Sequence, residues 1–108
     1  MTPITDQAGF DKLATLPTAL LLKHGAHCPI SANARDQVGA FAAAHPDLPV
    51  YSLEVTEHST LSRGIAEKLG IEHSSPQLLL LEAGRPRWHT EHYEISAQDI
   101  ESRLNAKK

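Results

Sequence analysis

Apolar residues along this chain recur at two periods, one helical and one strand-like, and Pro and Gly punctuate the changes between them. Phe10, Leu13, Ala14 and Leu16 fall at helical spacing behind Thr5 and Asp6, either of which can cap the helix start, and Pro17 ends it. Ala19-Leu20-Leu21-Leu22-Lys23-His24 is a continuous apolar run of strand length. Leucine is not a strong strand former, so length and flanking breakers decide that assignment rather than propensity. Pro29 opens the next helix, at a position where its missing N–H costs nothing. That helix runs through Ala34, Val38, Phe41 and Ala42 to about His45, before Pro46. Val50 to Val55 alternates as a strand. Ser59 or Thr60 caps a short helix carrying Leu61, Ile65, Ala66 and Leu69, closed by Gly70. After Ser74-Ser75-Pro76, the buried-type run Gln77 to Glu82 turns at Ala83-Gly84 into a second arm, Arg85 to Glu91. Pro86 gives that arm an edge position or a strand start. Ser96 and Asp99 resemble a capping box ahead of a last helix through Ile100 and Leu104.

The order α-β-α-β-α-β-β-α predicts an α/β protein in which two parallel strands joined by a helix are followed by a hairpin and a final helix. The expected architecture is a four-stranded mixed sheet with helices on both faces, and it resembles the thioredoxin fold. A chain of 108 residues without repeat, linker or low-complexity tract fits one domain over residues 1–108. A net charge of −3, with no basic run, gives no electrostatic case for nucleic acid or an anionic membrane surface. The longest apolar runs, Ala19 to Leu22 and Leu78 to Leu81, are far too short to span a bilayer. The first residues lack a signal-peptide pattern, and a single cysteine excludes an internal disulfide, so the expected compartment is cytoplasmic.

That cysteine, Cys28, stands in Gly25-Ala26-His27-Cys28-Pro29-Ile30-Ser31, between a strand end and a helix start. A thiol reacts as its thiolate, and the unpaired N–H groups and positive dipole end of a helix start favour the anion. The bland alternative is a small buried apolar residue, the commoner fate of a lone cysteine. Its place after the first strand, Pro29 behind it and the small or polar residues around it favour a nucleophile facing the amides of Ile30 and Ser31. Ser31 occupies the position where a dithiol motif carries its second cysteine, so the site cannot close an internal disulfide. Its hydroxyl can donate to the thiolate, satisfy a backbone N–H at the helix start, or do both. His27 either assists thiolate formation or stands exposed.

Seven histidines raise the question of metal. A tetrahedral site needs four ligands of compatible geometry. His24 ends a strand while Cys28 would face out from the next helix, and His89 and His92 fall on opposite faces if their strand continues. No metal is expected. Trp88 reads as packing of the last strand.

The runs His27-Cys28-Pro29-Ile30-Ser31-Ala32-Asn33-Ala34, Ser75-Pro76-Gln77, and Trp88-His89 with His92 resemble the monothiol bacilliredoxin family, from about Ile4 to Leu104. His27 departs from the small hydroxyl residue usual before the family's cysteine. The resemblance implies a thiol–disulfide oxidoreductase that removes bacillithiol from S-bacillithiolated client proteins through a mixed disulfide on Cys28. Bacillithiol is the implied thiol co-substrate, and a second bacillithiol or a thioredoxin-type reductant the implied regenerant. The resemblance also makes Ser75–Pro76 a cis-proline loop facing the cysteine. Were the bond cis, Ser75 would offer its backbone to a substrate chain lying alongside as an added strand. Two readings compete with the enzyme: a non-catalytic redox sensor or adaptor that accepts a small-thiol cap on Cys28, and a small metal-binding protein built on the histidines.

Overall fold

The computed structural model describes residues 1–26 and 29–106, with side chains through residue 104. Its elements are β1 (Thr2–Pro3), α1 (Gln7–Ala14), β2 (Ala19–His24), α2 (Pro29–Ala44), β3 (Val50–Glu54), α3 (Ser59–Leu69), β4 (Gln77–Glu82), β5 (Arg85–Glu91), a single 3-10 turn (His92–Glu94) and α4 (Ala97–Ala106). They form one mixed sheet of order β1-β3-β2-β4-β5. β1, β3 and β2 run parallel, while β4 pairs antiparallel with both β2 and β5.

The sheet therefore has five strands, one more than expected. β1 is two residues long, pairing Thr2 with Tyr51 and Pro3 with Ser52, and Ile4 N–H then donates to Ser52 O at 2.7 Å. Two residues contain no period to detect, and only contact with β3 makes them a strand. α3 differs too. Its first residue is Ser59, preceded by His58, and no side chain caps it. Elsewhere the local signals hold. Asp6 Oδ1 accepts from Gly9 N–H at 2.9 Å, Ser96 Oγ accepts from Asp99 N–H at 3.1 Å, and Gly70 takes the left-handed conformation at φ 70°. Ala83 and Gly84 both have positive φ, as a two-residue hairpin turn requires.

Ala19 to Leu22 of β2 and Leu78 to Leu81 of β4 are apolar on both sides because helices cover both faces of the sheet. On one face, Phe10 and Leu13 of α1 and Ile65 of α3 pack with Leu21, Leu53, Leu79 and Leu81. On the other, Ala34, Val38 and Phe41 of α2 and Ile100 of α4 pack with Leu20, Leu22, Leu78 and Leu80. β5 lies at the edge, where Pro86 removes no ladder bond from a neighbour and the register slips opposite Leu80 and Leu81.

Candidate active site

The connection from β2 to α2 and the start of β4 leave the sheet at the same end, because Lys23 is the register partner of Gln77. The Ser75–Pro76 peptide preceding β4 is cis, with Pro76 buried and Ser75 half-buried. Pro76 O accepts from His92 N–H at 3.0 Å, which ties the loop to the end of β5. Pro29, exposed, is the first residue of α2, and Ile30 behind it is half-buried. His27 and Cys28, the nucleophile and its neighbour expected from sequence, lie outside the described residues.

The residues leading up to them are held from three directions. Ser31, fully buried, accepts from Gly25 N–H through Oγ at 2.9 Å. The oxygen of this hydroxyl thus serves the Gly25 amide, ahead of the helix, rather than an amide of the helix start. Arg35 of α2 donates from Nη1 to Gly25 O at 2.9 Å and meets His24 Nδ1 at 3.3 Å. Ala26 N–H donates to Glu54 Oε1 at 3.0 Å, at the end of β3. Burial pushes the Glu54 carboxyl up, but the N–H groups of Glu57, Thr56 and Ala26 outweigh this and hold it below its ordinary value. Burial and the charge of Arg35, partly offset by Glu54, hold His24 below the usual imidazole range.

Ser31→Ala deletes the acceptor and leaves a part-buried N–H unpaired. Urea unfolding is expected to show a loss of about 1–3 kcal/mol. A change below a few tenths would mean that the Gly25 bond contributes nothing to stability.

Arg35, Glu54 and Lys23 stand outside the site motifs noted in the sequence. Lys23 carried a visible signal, a lysine inside an apolar strand. It is fully buried on the α1/α3 face and donates from Nζ to Ser62 O of α3 at 3.0 Å. Burial lowers its pKa to about 8. His73 lies beside this group, its Nδ1 3.2 Å from Ser62 Oγ. Burial, followed by the charges of Lys23 and Arg63, holds His73 below the ordinary imidazole range.

His89 and His92 do not fall on opposite faces. β5 ends at Glu91 and His92 turns at φ 55°, so both rings line one cleft. His89 Nδ1 hydrogen-bonds Glu91 Oε2, and His92 Nε2 lies 3.3 Å from Ser74 Oγ. Among the described residues, no three His, Cys, Asp or Glu side chains gather as a metal ion needs. Trp88 packs against the α2/α4 core and carries the Arg103 guanidinium over its ring at 5.5 Å. Among the described residues, no helix is long and apolar enough to cross a membrane.

This sheet, with a cis-proline before β4 and the chain's one cysteine directly ahead of Pro29, defines a thioredoxin-fold protein with a single thiol. Solved structures agree on the fold. Thioredoxin from Fasciola hepatica aligns over 100% of both chains at 14% identity and a TM-score of 0.78. Mitochondrial thioredoxin 3 from Saccharomyces cerevisiae aligns over 98% of this chain and 94% of its own, at 16% identity and a TM-score of 0.76. A structure described as a candidate oxidoreductase with a thioredoxin fold is 30% identical. It has a TM-score of 0.88 and covers 99% of this chain and 93% of its own. The family model for the monothiol bacilliredoxin BrxC matches residues 2–100, and the chain belongs to that family. Its function is accordingly of the thiol–disulfide redox class.

Proposed function

We propose that this protein is a monothiol oxidoreductase that removes bacillithiol from S-bacillithiolated client proteins, with Cys28 as the nucleophile. The observation that carries the proposal is the chain's sole thiol directly ahead of the first residue of α2, in a member of the monothiol family. The Cys28 thiolate attacks the bacillithiol sulfur of the client's mixed disulfide. The Cys28–bacillithiol S–S bond forms as the client's S–S bond breaks, and the client cysteine leaves as a thiolate. The client is thereby reduced and Cys28 oxidised. A second bacillithiol thiolate, or a thioredoxin-type reductant, then attacks the bacillithiol sulfur on Cys28 and regenerates the free thiolate.

Ser31 in place of a second cysteine makes an external resolving thiol obligatory. The cis peptide before Pro76, at the same end of the sheet, suits the Ser75 backbone to pair with a client segment. The chemistry suits the reducing cytoplasm, where protein thiols are kept free. Intact-mass measurement tests the proposal. When a bacillithiolated client is mixed with the reduced protein, the bacillithiol mass should appear on this chain as it leaves the client. A client that keeps its cap while the chain's mass stays unchanged would refute the proposal.

A further inference from the structure

Gly25, the residue directly after β2, has both of its backbone groups taken by side chains of one helix. Its N–H donates to Ser31 Oγ at 2.9 Å, and its carbonyl accepts from Arg35 Nη1 at 2.9 Å. Ser31 and Arg35 are four residues apart in α2, so they stand as neighbours on one helix face. Water ordinarily serves such groups in a surface connection. Here the connection is fastened to the very helix it leads into.

The guanidinium has a second contact on the same side. An arginine only donates, so His24 Nδ1, 3.3 Å from Arg35 Nη1, accepts and carries no proton. Burial, then the charge of Arg35, partly offset by Glu54, keeps that imidazole neutral at neutral pH. Arg35 is half-buried, and among the described residues it forms no ion pair. Its polar contacts are a backbone carbonyl and a neutral ring. From the other side, Ala26 N–H donates to Glu54 Oε1 at 3.0 Å, an oxygen that also accepts from Thr56 N–H at 3.1 Å.

Residues 25 and 26 are thus anchored to α2 and to the end of β3. Only His27 and Cys28 stand between Ala26 and Pro29, the first residue of α2. So short a tether passes any shift of residues 25 and 26 on to the backbone of Cys28. We infer that Arg35 is a positioning residue for thiol exchange at Cys28, acting through the Gly25 carbonyl. The inference rests on the thiol-exchange proposal above. Arg35 makes the connection and α2 move as one body. The attacking sulfur must lie in line with the S–S bond it opens, and a misplacement of about 1 Å costs on the order of a hundredfold in rate. With Ser31 and Glu54 still in place, the loss of Arg35 alone costs less than that.

The test mixes the reduced chain with excess bacillithiol-capped client peptide, without a resolving thiol. Transfer of the cap is followed against peptide concentration and pH. Arg35→Met should lower the maximal rate about tenfold and leave the half-saturating concentration within about twofold. The loss should persist on the alkaline plateau, where Cys28 is fully thiolate. Arg35→Gln gives the same reading if Arg35→Met folds poorly, and urea unfolding shows which variants are folded. A folded variant that transfers at the wild-type rate reduces Arg35 to a stabilising contact and overturns the inference. So does a shifted pH midpoint with an unchanged plateau, which would assign the effect to charge rather than to position. A rise in the half-saturating concentration alone would place Arg35 on the client and overturns it too. In these three cases the wild type still transfers, so thiol exchange stands. A wild type that transfers nothing overturns both proposals.

Discussion

Cys28→Ser is expected to reduce the opening of a mixed disulfide to the rate seen without protein. Thiol–disulfide exchange begins with attack by a thiolate, and a serine hydroxyl does not ionise in the range where thiols do. The chain has no second cysteine that could substitute, so the loss should be complete rather than partial. Release of the small thiol from a capped client, followed over time for wild type and variant, measures it. The same comparison separates an enzyme from a sensor or adaptor. An enzyme turns over many capped clients per chain when a resolving thiol is present, whereas an adaptor stops after one. If Cys28→Ser releases the cap as fast as wild type, Cys28 is not the nucleophile.

Lys23→Met should stabilise the fold at neutral pH and abolish a rise in stability toward alkaline pH. Lys23 is fully buried, and burial lowers its pKa from 10.5 to about 8. Between those two values the unfolded chain binds more protons than the folded one, so wild-type stability rises as pH climbs through this window. Below pH 8 the folded state carries the whole penalty of a buried cation, about 3 kcal/mol for a shift of this size. Methionine matches the shape without the charge, and the gain near pH 7 should be about 1–3 kcal/mol after allowing for the lost bond to Ser62 O. Urea unfolding of both proteins at pH 7 and pH 9.5 measures the effect. Parallel pH dependences in wild type and variant would show that the lysine is not desolvated by folding.

The elements legible in the sequence were those whose cause lies within a few residues. Leu78 to Leu81 between Pro76 and Gly84 reads as a buried strand because the breakers and the apolar run are adjacent, and it is β4. Asp6, Gly70 and Ser96 act as caps through bonds three to five residues long. Cys28 and Ser31 were legible as a one-thiol motif for the same reason.

The fixings of the β2–α2 connection were not legible. Glu54 reaches Ala26 across 28 positions, and Lys23 reaches Ser62 across 39. Nothing local to either residue announces its partner. The placement of His89 and His92 on one cleft was not legible either, because it depends on the backbone turning at His92 just past the end of β5.

Local periodicity and residue chemistry by themselves determined the order of the helices and of the four longer strands, the mixed sheet and the presence of one thiol with Ser31 three residues on. Each is a property of a short stretch or of one side chain. Tertiary structure alone decided that Thr2–Pro3 is a fifth strand, that Ser31 and Glu54 fasten the residues before Cys28, and that Gln77 is left with an unsatisfied acceptor beside a cis-proline. Those facts depend on strand register, where a slip of one residue sends every side chain to the other face, and register is set by packing across the whole domain.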